Sequence, residues 1–317
     1  IHKMIFMDKK PCFYAILTTN KKRNQRREIM KGYLVVNAFL QTKKFKEIYE
    51  MLQASFLKRK VEIQIKTNVE LMVIIQNQKN LKIDFVLFWD KDVFLAHHLE
   101  NRGIRVFNSS KVIEICDDKG LTALYLENHQ IPMPKTILAP FTYQNIGYPD
   151  LSFLKMVIEQ LSFPFIVKEN KGSFGQQVYL VQNQEELHQI VMQIGCKNML
   201  FQEYIASSHG QDVRLYVIGK KVVLAVKRIA NGNDFCANVS HGGKMIPFTP
   251  DSSYIDLAEK VATLLNVDFA GIDLLIGDHG QPLFCEINSN AHFKNVYLAT
   301  GVDLSILLVD YILEQLS

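Results

Sequence analysis

Residues 269–288, FAGIDLLIGDHGQPLFCEIN, are the stretch that decides the fold of this 317-residue chain. Apolar runs at 269–276 and 283–288 flank the turn sequence GDHG, which predicts a β-hairpin. Side chains alternate along a strand, so Glu286 and Asn288 share one face. Strand pairing is predicted to bring Asp273 beside them.

The predicted hairpin gathers three oxygen-bearing side chains amid apolar residues. Burying carboxylates is costly without a counter-ion, and hard oxygen ligands suit Mg²⁺, which binds through a few carboxylates and substrate phosphates. The alternative is a pair of isolated surface carboxylates, which the flanking Leu, Ile and Phe residues disfavour. By the same alternation, Cys285 is predicted to point away from Glu286 into the core.

A second segment, IVKENKGSFGQQV at residues 166–178, predicts a strand that ends in Lys168, followed by a loop with Gly172 and Gly175. Glycines let backbone amides approach a polyphosphate closely, and a neighbouring lysine supplies a fixed positive charge. Taken by itself, the segment fits a plain hairpin with an exposed lysine better.

A third segment, FQEYI at residues 201–205, is followed by Asp212 and Arg214. A strand that ends in an acid and enters a loop can offer backbone groups to a purine edge, and a later aspartate can bind ribose hydroxyls. In isolation, a solvated strand end is the simpler interpretation.

The region before these segments alternates short apolar runs with longer amphipathic ones. Strands are expected at 33–36, 61–65, 85–89 and 105–107, and helices at 43–59 and 92–101. This rhythm predicts βαβ units and a small parallel sheet, which we expect to contribute a substrate-facing surface. The residues after Val36 are Asn37-Ala38-Phe39 rather than a glycine-rich dinucleotide fingerprint.

Later residues predict an α+β arrangement with antiparallel sheets. The expected domains are an α/β unit at 30–116 and a second unit at 117–317, divided near residue 205. Further strands are expected at 165–168, 199–203, 213–218 and 222–228. Helices are expected at 117–129, 151–160, 184–193, 252–265 and 304–316.

The order of these features resembles the ATP-grasp fold, and more narrowly the RimK-like carboxylate–amine (α-L-glutamate) ligases. The resemblance covers about residues 105–317. It also uses Asn108-Ser109 before a helix, Asp118-Lys119, Pro132 with Pro134, and the loop at 234–243. The implied fold is a small parallel-sheet α/β domain followed by two α+β subdomains of an ATP-grasp unit.

The resemblance implies roles for individual residues. Two lysines would contact the nucleotide phosphates, residues 203–205 would line the adenine, Asp212 would bind the ribose, and Arg214 would position substrate or phosphates. The nucleotide-binding residues are thus Lys119, Lys168, Gly172, Ser173, Gly175, Glu203, Tyr204, Ile205, Asp212 and Arg214. The catalytic residues are Lys168, Arg228 and Asn238, the last two facing the γ-phosphate and the acyl group. The metal ligands are Asp273, Glu286 and Asn288.

The implied reaction uses ATP and one or two Mg²⁺ ions, with Mn²⁺ as a substitute, to form an amide through an acylphosphate. Glutamate or another amino acid would be joined to a protein, peptide or small-molecule carboxylate. Two departures fall where substrates are chosen: Cys236 stands where the family commonly has arginine, and Asn290-Ala291-His292 replaces a proline and glycine. A ligase of another class (peptide modification or amino-acid ligation) and a non-catalytic ATP-binding module therefore remain alternatives.

Charge distribution argues against a nucleic-acid partner. Residues 1–29 hold eight basic and two acidic groups, which leaves the rest of the +4 chain near neutrality. We interpret residues 1–29 as an extension that is either non-native or disordered, with Met30 as the start. No apolar run is long enough to span a membrane. Five cysteines without paired spacing indicate a reduced, cytoplasmic setting, and a homo-oligomer stays open.

Overall fold

The computed structural model describes residues 30–76, 81–172, 175–232, 234–237 and 242–317. The predictions made for residues 1–29, Ser173 and Asn238 lie outside these ranges. The described residues form three sheets, one parallel and two antiparallel, as the sequence predicts.

Sheet A is the predicted parallel sheet. Its strands are β1 (Lys31–Val36), β2 (Glu62–Thr67), β3 (Phe85–Trp89) and β4 (Arg105–Phe107), in the spatial order β2-β1-β3-β4. Helices α1 (Lys43–Lys58) and α2 (Val93–Glu100) connect them. The bounds lie within two residues of those predicted, because the apolar runs are short and sharply bounded by polar residues.

Both faces of sheet A are covered. On one face, α1 buries Ile48, Leu52 and Phe56, spaced four residues apart so that they form one stripe. On the other face, α2 packs Leu95 and Leu99 against the sheet. Burial on both sides explains why the central strands β1 and β3 carry continuous apolar runs, whereas the edge strand β2 alternates.

Two short helices, α3 (Ser110–Asp117) and α4 (Lys119–Leu126), follow sheet A. The sequence predicted a single helix at 117–129. The structure instead has α4, which begins at Lys119, and a separate helix α3 before it. Asp118 separates the two because its extended backbone ends α3 while its carboxylate accepts a hydrogen bond from the Leu121 N–H, which caps α4. Residues 127–129 complete the segment as a 3₁₀ turn.

Sheet B contains β5 (Thr136–Leu138), β6 (Phe165–Glu169), β7 (Val178–Val181) and β8 (Met199–Glu203), in the order β5-β8-β6-β7. Helices α5 (Leu154–Leu161) and α6 (Gln184–Ile194) cover one face of it. The three-residue β5 lies in the segment that the sequence marked only as extended.

Sheet C contains β9 (Gln211–Ile218), β10 (Lys221–Ile229), β11 (Lys244–Pro247), β12 (Phe269–Ile276) and β13 (Pro282–Asn288), in the order β11-β10-β9-β12-β13. Helix α7 (Ser252–Leu264) packs on one face. The deciding hairpin, β12 with β13, occupies the edge of this sheet. Strand β11 was not predicted, because it is four residues long and ends in proline.

The chain ends in α8 (Lys294–Thr300) and α9 (Leu304–Gln315). Helix α9 returns to α1, where the Ser55 and Ser305 hydroxyl oxygens are 2.7 Å apart and Arg59 pairs with Asp310. Helix α8 was not predicted, and neither was this long-range contact. Among the described residues no single helix could cross a membrane; α8 and α9 pass that test only as a pair bent by 119°.

Candidate active site

A cavity of about 580 Å³ lies where residues from all three sheets meet. Every described residue that the sequence predicted for the site lines it. These are Lys119, Lys168, Gly172, Gly175, Glu203, Tyr204, Ile205, Asp212, Arg214, Arg228, Asp273, Glu286 and Asn288. Residues far apart in sequence therefore share one cavity, which favours a common function over the separate structural interpretations.

Lys168 lies at the floor of the cavity. It follows three buried residues of β6 and is itself 6% exposed, so it is not the exposed hairpin lysine of the simpler interpretation. Its ammonium group donates to Gln202 Oε1 at 2.7 Å, and the Gln202 amide donates to Thr136. Burial lowers the pKa of Lys168, but the combined effect of Cys285, Glu286 and Cys236 raises it by more. The net shift is upward, so the side chain is cationic.

The start of α4 brings Lys119 to the cavity. Its backbone N–H donates to the Asn170 carbonyl at 3.0 Å, and the Asn170 amide donates to Asp118 at 2.9 Å. A Cβ atom at Gly120 would lie 2.4 Å from the Asn170 amide nitrogen, so only glycine permits this close approach. The helix start is thereby held against the end of β6, with Lys119 beside Lys168 on the cavity wall.

The β12–β13 hairpin confirms the predicted convergence of acids. Asp273 is paired with Glu286 in the register of the two strands. Asn288 donates to Glu286 at 3.0 Å, and the Lys119 ammonium lies 3.8 Å from the Glu286 carboxylate. Burial raises the pKa of Glu286, but Lys119, Asn288, Lys168 and Arg214 outweigh it and lower the pKa to about 2, so Glu286 is ionised.

The prediction for Cys285 is wrong. The strand register shifts between Asp273 and Leu274, so that Leu274 pairs with Phe284 and Cys285 becomes the extra residue of a β-bulge. The bulge interrupts the alternation of side chains. The Cys285 thiol therefore lines the cavity, 3.6 Å from the Lys168 ammonium, instead of entering the core. Burial raises its pKa, so the thiol is neutral and suited to contact rather than attack.

Two arginines and two aspartates form a continuous ion-pair chain across sheet C. Arg228 donates to both Asp212 oxygens at 2.7 and 2.5 Å, and it also lies 2.9 Å from Asp273. Arg214 donates to both Asp273 oxygens at 2.5 and 2.6 Å. The register of β9 with β10 and β12 places these four side chains side by side. Each buried carboxylate is thus matched by a guanidinium in bidentate geometry.

The ion-pair chain bears on two predicted roles. Both Asp212 oxygens are engaged by Arg228, so a bond to ribose would use a second lone pair of an oxygen that already accepts. Both Asp273 oxygens are similarly engaged by arginine. Its role as a metal ligand stays a prediction, and Oδ1, which accepts one hydrogen bond, has a second lone pair for it.

The remaining hairpin donors fit a hard cation. Glu286 is ionised, and Asn288 directs its NH₂ group at Glu286, which leaves its carbonyl oxygen for other contacts. Carboxylate and amide oxygens are the ligands that Mg²⁺ uses, commonly together with substrate phosphates. Among the described residues no three His, Cys, Asp or Glu side chains cluster as a metal site.

Another part of the cavity wall is apolar and suits a purine. The predicted residues Tyr204 and Ile205 lie there, and Ile166 and Leu275 line the cavity as well. Sequence reasoning singled out neither, although alternation along β12 places Leu275 on the same face as Asp273. Gly175 lines the cavity with φ of +70°, a conformation that favours glycine in a tight phosphate-facing loop.

Sheet A contributes residues that sequence analysis did not single out. Asn37 and Asp90 follow β1 and β3, and Lys44 lies in the first turn of α1; all three line the cavity. This unit therefore contributes to the cavity wall, and that its surface faces a substrate stays a prediction. The available signal was their place just after the carboxyl ends of parallel strands. His292 also lines the cavity, and burial, followed by Lys44 and Arg214, lowers its pKa to about 3.

Comparison with known proteins agrees with this geometry. Residues 116–312 match the family model of the RimK-like ATP-grasp domain. An uncharacterised protein of Mycoplasma pneumoniae is 32% identical over 73% of this chain and 83% of its own length. Human N-acetylaspartylglutamate synthase A is 33% identical over 72% of this chain, which spans 57% of that protein.

A solved RimK domain protein from Sphaerobacter thermophilus has the same fold. Its TM-score is 0.67 at 19% identity, over 89% of this chain and 98% of that structure.

Proposed function

This chain belongs to the RimK-like ATP-grasp family of carboxylate–amine ligases, and we propose that it joins an amino acid to a carboxylate through an acylphosphate intermediate. ATP would activate the carboxylate. The amino acid, such as glutamate, would then form the amide, with ADP and phosphate as the other products.

The observation that carries the proposal is the distribution of charge around one cavity. Lys119 and Lys168 lie on its wall together with Arg228 and the ionised Glu286, next to an apolar surface. This combination suits a triphosphate bound at one end through cations and at the other through its base. The buried lysine and the bulged hairpin have no comparable structural explanation.

Phosphoryl transfer needs positioning and charge neutralisation more than covalent help from the protein. In the proposed first step, a substrate carboxylate oxygen attacks the terminal phosphorus, the bond to the bridging oxygen breaks, and ADP leaves. Lys168 and Arg228 would face the charge that gathers on the transferred group. When bound, Mg²⁺ would neutralise further phosphate charge, held by Glu286 and Asn288.

In the second step, the amine nitrogen attacks the acyl carbon and phosphate leaves with the bonding electron pair. The amine loses a proton, and an amide remains. This chemistry requires no nucleophilic side chain. The cavity thiols agree, because burial raises the pKa of Cys236 to about 12 and also raises that of Cys285.

Glutamate as the amine is supported by the names of curated relatives. They include human N-acetylaspartylglutamate synthase A, of which this chain spans 57%. The identity of the carboxylate is left to experiment, because the residues near 236 and 290–292 depart from the family pattern and lie where substrates are chosen.

The proposal is tested by following ADP release from MgATP with a panel of amino acids and carboxylates. ADP formation that requires both an amine and a carboxylate is expected. Trapping with hydroxylamine should yield a hydroxamate when the carboxylate is present without the amine. Nucleotide binding without ADP release across the panel would contradict the ligase and favour an ATP-binding module.

A further inference from the structure

Sheet A has a topological switch point between β1 and β3. From β1 the chain crosses through α1 to β2 on one side, and it then returns to β3 on the other. Ligands of open α/β sheets bind outside the carboxyl ends of the strands at such a point. Val36 is in register with Trp89, so the next residues, Asn37 and Asp90, emerge side by side, and both line the cavity.

The Asp90 carboxylate is held in a fixed position. It is 5% exposed, and it accepts hydrogen bonds from the Asn37 amide nitrogen at 3.1 and 3.3 Å and from the Lys91 N–H at 2.8 Å. The Asn37 carbonyl oxygen accepts from the Phe39 N–H at 2.9 Å, which turns the NH₂ group of Asn37 toward Asp90. The pair is therefore organised before any ligand binds.

Asp90 differs from three other carboxylates that line the cavity. Asp212, Asp273 and Glu286 each lie next to an arginine or lysine, whereas Asp90 forms no ion pair within the residues that the structure describes. Burial raises its pKa, against the hydrogen bonds from Lys91 and Asn37. The charge of Asp92 raises it further and that of Lys91 lowers it, although the Lys91 ammonium forms its ion pair with Asp117. A buried carboxylate with neutral donors costs free energy, which a cationic ligand would offset.

A second buried polar group, the Tyr49 hydroxyl, lies near Asp90 but does not line the cavity. The Tyr49 hydroxyl is buried and has no hydrogen-bond partner among the described residues. Burial, followed by the charge of Asp90, raises its pKa to about 12, which places the two groups within electrostatic reach.

The cavity also presents cations near this end. Lys44 and Arg214 both line it, and burial followed by the Arg214 charge lowers the pKa of Lys44. Arg214 is paired with Asp273, and an anionic group of a ligand would interact favourably with the positive charge of Lys44. A molecule with an ammonium group at Asp90 and a carboxylate toward Lys44 would match charges of both signs.

We propose that Asp90, positioned by Asn37, forms the subsite for the ammonium group of the amine substrate, which is a zwitterionic amino acid. This assignment rests on the proposed ligase function, because it concerns the amine in the second step. It adds a specificity-determining residue in sheet A to a site otherwise built from α4 and sheets B and C.

Calorimetry tests the assignment with L-glutamate and glutarate as probes, in the presence of Mg²⁺ and a non-hydrolysable ATP analogue. Glutarate has the same carbon chain and both carboxylates but no ammonium group. The wild-type protein is expected to bind glutamate at least about tenfold more tightly than glutarate. Asp90→Asn should lose that preference while its affinity for the ATP analogue is unchanged.

The matched control is Asp92→Asn, the same chemical change two residues away. Asp92 caps α2 by accepting from the Leu95 N–H, a role that asparagine also fills, so glutamate binding should match that of the wild type. If Asp90→Asn fails to fold, Asn37→Ser provides the second test. It releases Asp90 and should weaken glutamate binding about fivefold, and unchanged binding in that variant would refute the assignment.

Three results would overturn the subsite: no glutamate binding by the wild type, equal affinity for the two probes, or an undiminished preference in Asp90→Asn. Failure of the underlying function is distinguishable. A wild-type protein that prefers glutamate in calorimetry but releases no ADP with any carboxylate would leave the subsite intact and remove the ligase reaction.

Discussion

The two ends of the cavity balance their charges differently. At the end formed by α4 and sheets B and C, Asp212, Asp273 and Glu286 are each next to arginine or lysine. At the edge of sheet A, Asp90 is held by neutral donors. At the first end the acids are matched within the protein itself, and the lysines and arginines among them suit a polyphosphate. The second end has a charge that its substrate must match, so it is suited to selection.

The largest effect is expected for Glu286→Gln at the first end. The substitution keeps the shape but removes the ionised oxygen pair beside Lys119. Loss of one well-placed charged group at such a site costs about 10²- to 10³-fold in rate. ADP formation from MgATP should fall by about that factor, measured under saturating amine and carboxylate.

Glu259→Gln is the matched control for this variant. Glu259 pairs with Lys221 at 2.6 Å, does not line the cavity, and should leave the rate unchanged. Retained turnover in Glu286→Gln would contradict the assignment of Glu286. The charge of the first end would then matter no more to the reaction than that of a surface ion pair.

Asp273→Asn should reduce stability as well as activity. Asp273 is 2% exposed and accepts from both Arg214 and Arg228. Removing one partner of a buried ion pair leaves the other uncompensated, so the free energy of unfolding should fall by about 3 kcal/mol. Urea denaturation measures this change, with Asp90→Asn as the comparison. Because Asp90 forms no ion pair with any residue that the structure describes, a similar loss there would mean that the two ends do not differ.

The sequence predicted which residues gather at the first end, because that end is built from contiguous segments. Residues 269–288 specify a hairpin through their alternation and turn, and the register then places Asp273 beside Glu286. The ion-pair chain was not predicted. It depends on the pairing of β9 with both β10 and β12, which brings together residues as distant as Asp212 and Asp273.

For the edge of sheet A, the sequence predicted a substrate-facing surface but no individual site residues. The residues that line the cavity there are isolated positions that follow the ends of strands. The residues Asn37 and Asp90 are 53 positions apart, and no local pattern couples them. Cys285 shows a different limit: alternation predicts facing correctly until a bulge inserts an extra residue, and this bulge has no glycine or proline to mark it. The packing of α9 against α1 could not be predicted either, because the sequence does not indicate which of several apolar helix faces contact each other.

A smaller effect is expected at His292, which lies on the cavity wall next to Phe45, with ring centroids 4.4 Å apart. Burial, followed by Lys44 and Arg214, lowers its pKa from 6.5 to about 3. Between those values the unfolded chain binds more protons, so the free energy of unfolding falls as pH decreases below about 6.5.

His292→Gln should remove this pH dependence. Between pH 7 and 5.5 the wild type should lose about 1 kcal/mol more than the variant, whatever the variant's absolute stability. Parallel curves from urea titrations at several pH values would show that the ring is accessible to protons. In that case the charges of Lys44 and Arg214 would not lower the pKa of His292, which lies between the two ends.

The smallest effect is expected for Cys285→Ser, although the thiol lies 3.6 Å from the Lys168 ammonium. Lys168 keeps its 2.7 Å hydrogen bond to Gln202, and a serine hydroxyl can accept from it where the sulfur did. Because burial raises the pKa of the thiol, iodoacetamide at pH 7.5 should label this cysteine slowly in the wild type. The rate of ADP formation should stay within about threefold of the wild type. A drop in rate as large as that of Glu286→Gln would mean that the bulge places the Cys285 sulfur to orient Lys168. The positive charge at the first end would then be held in place by a neutral group as well as by ion pairs.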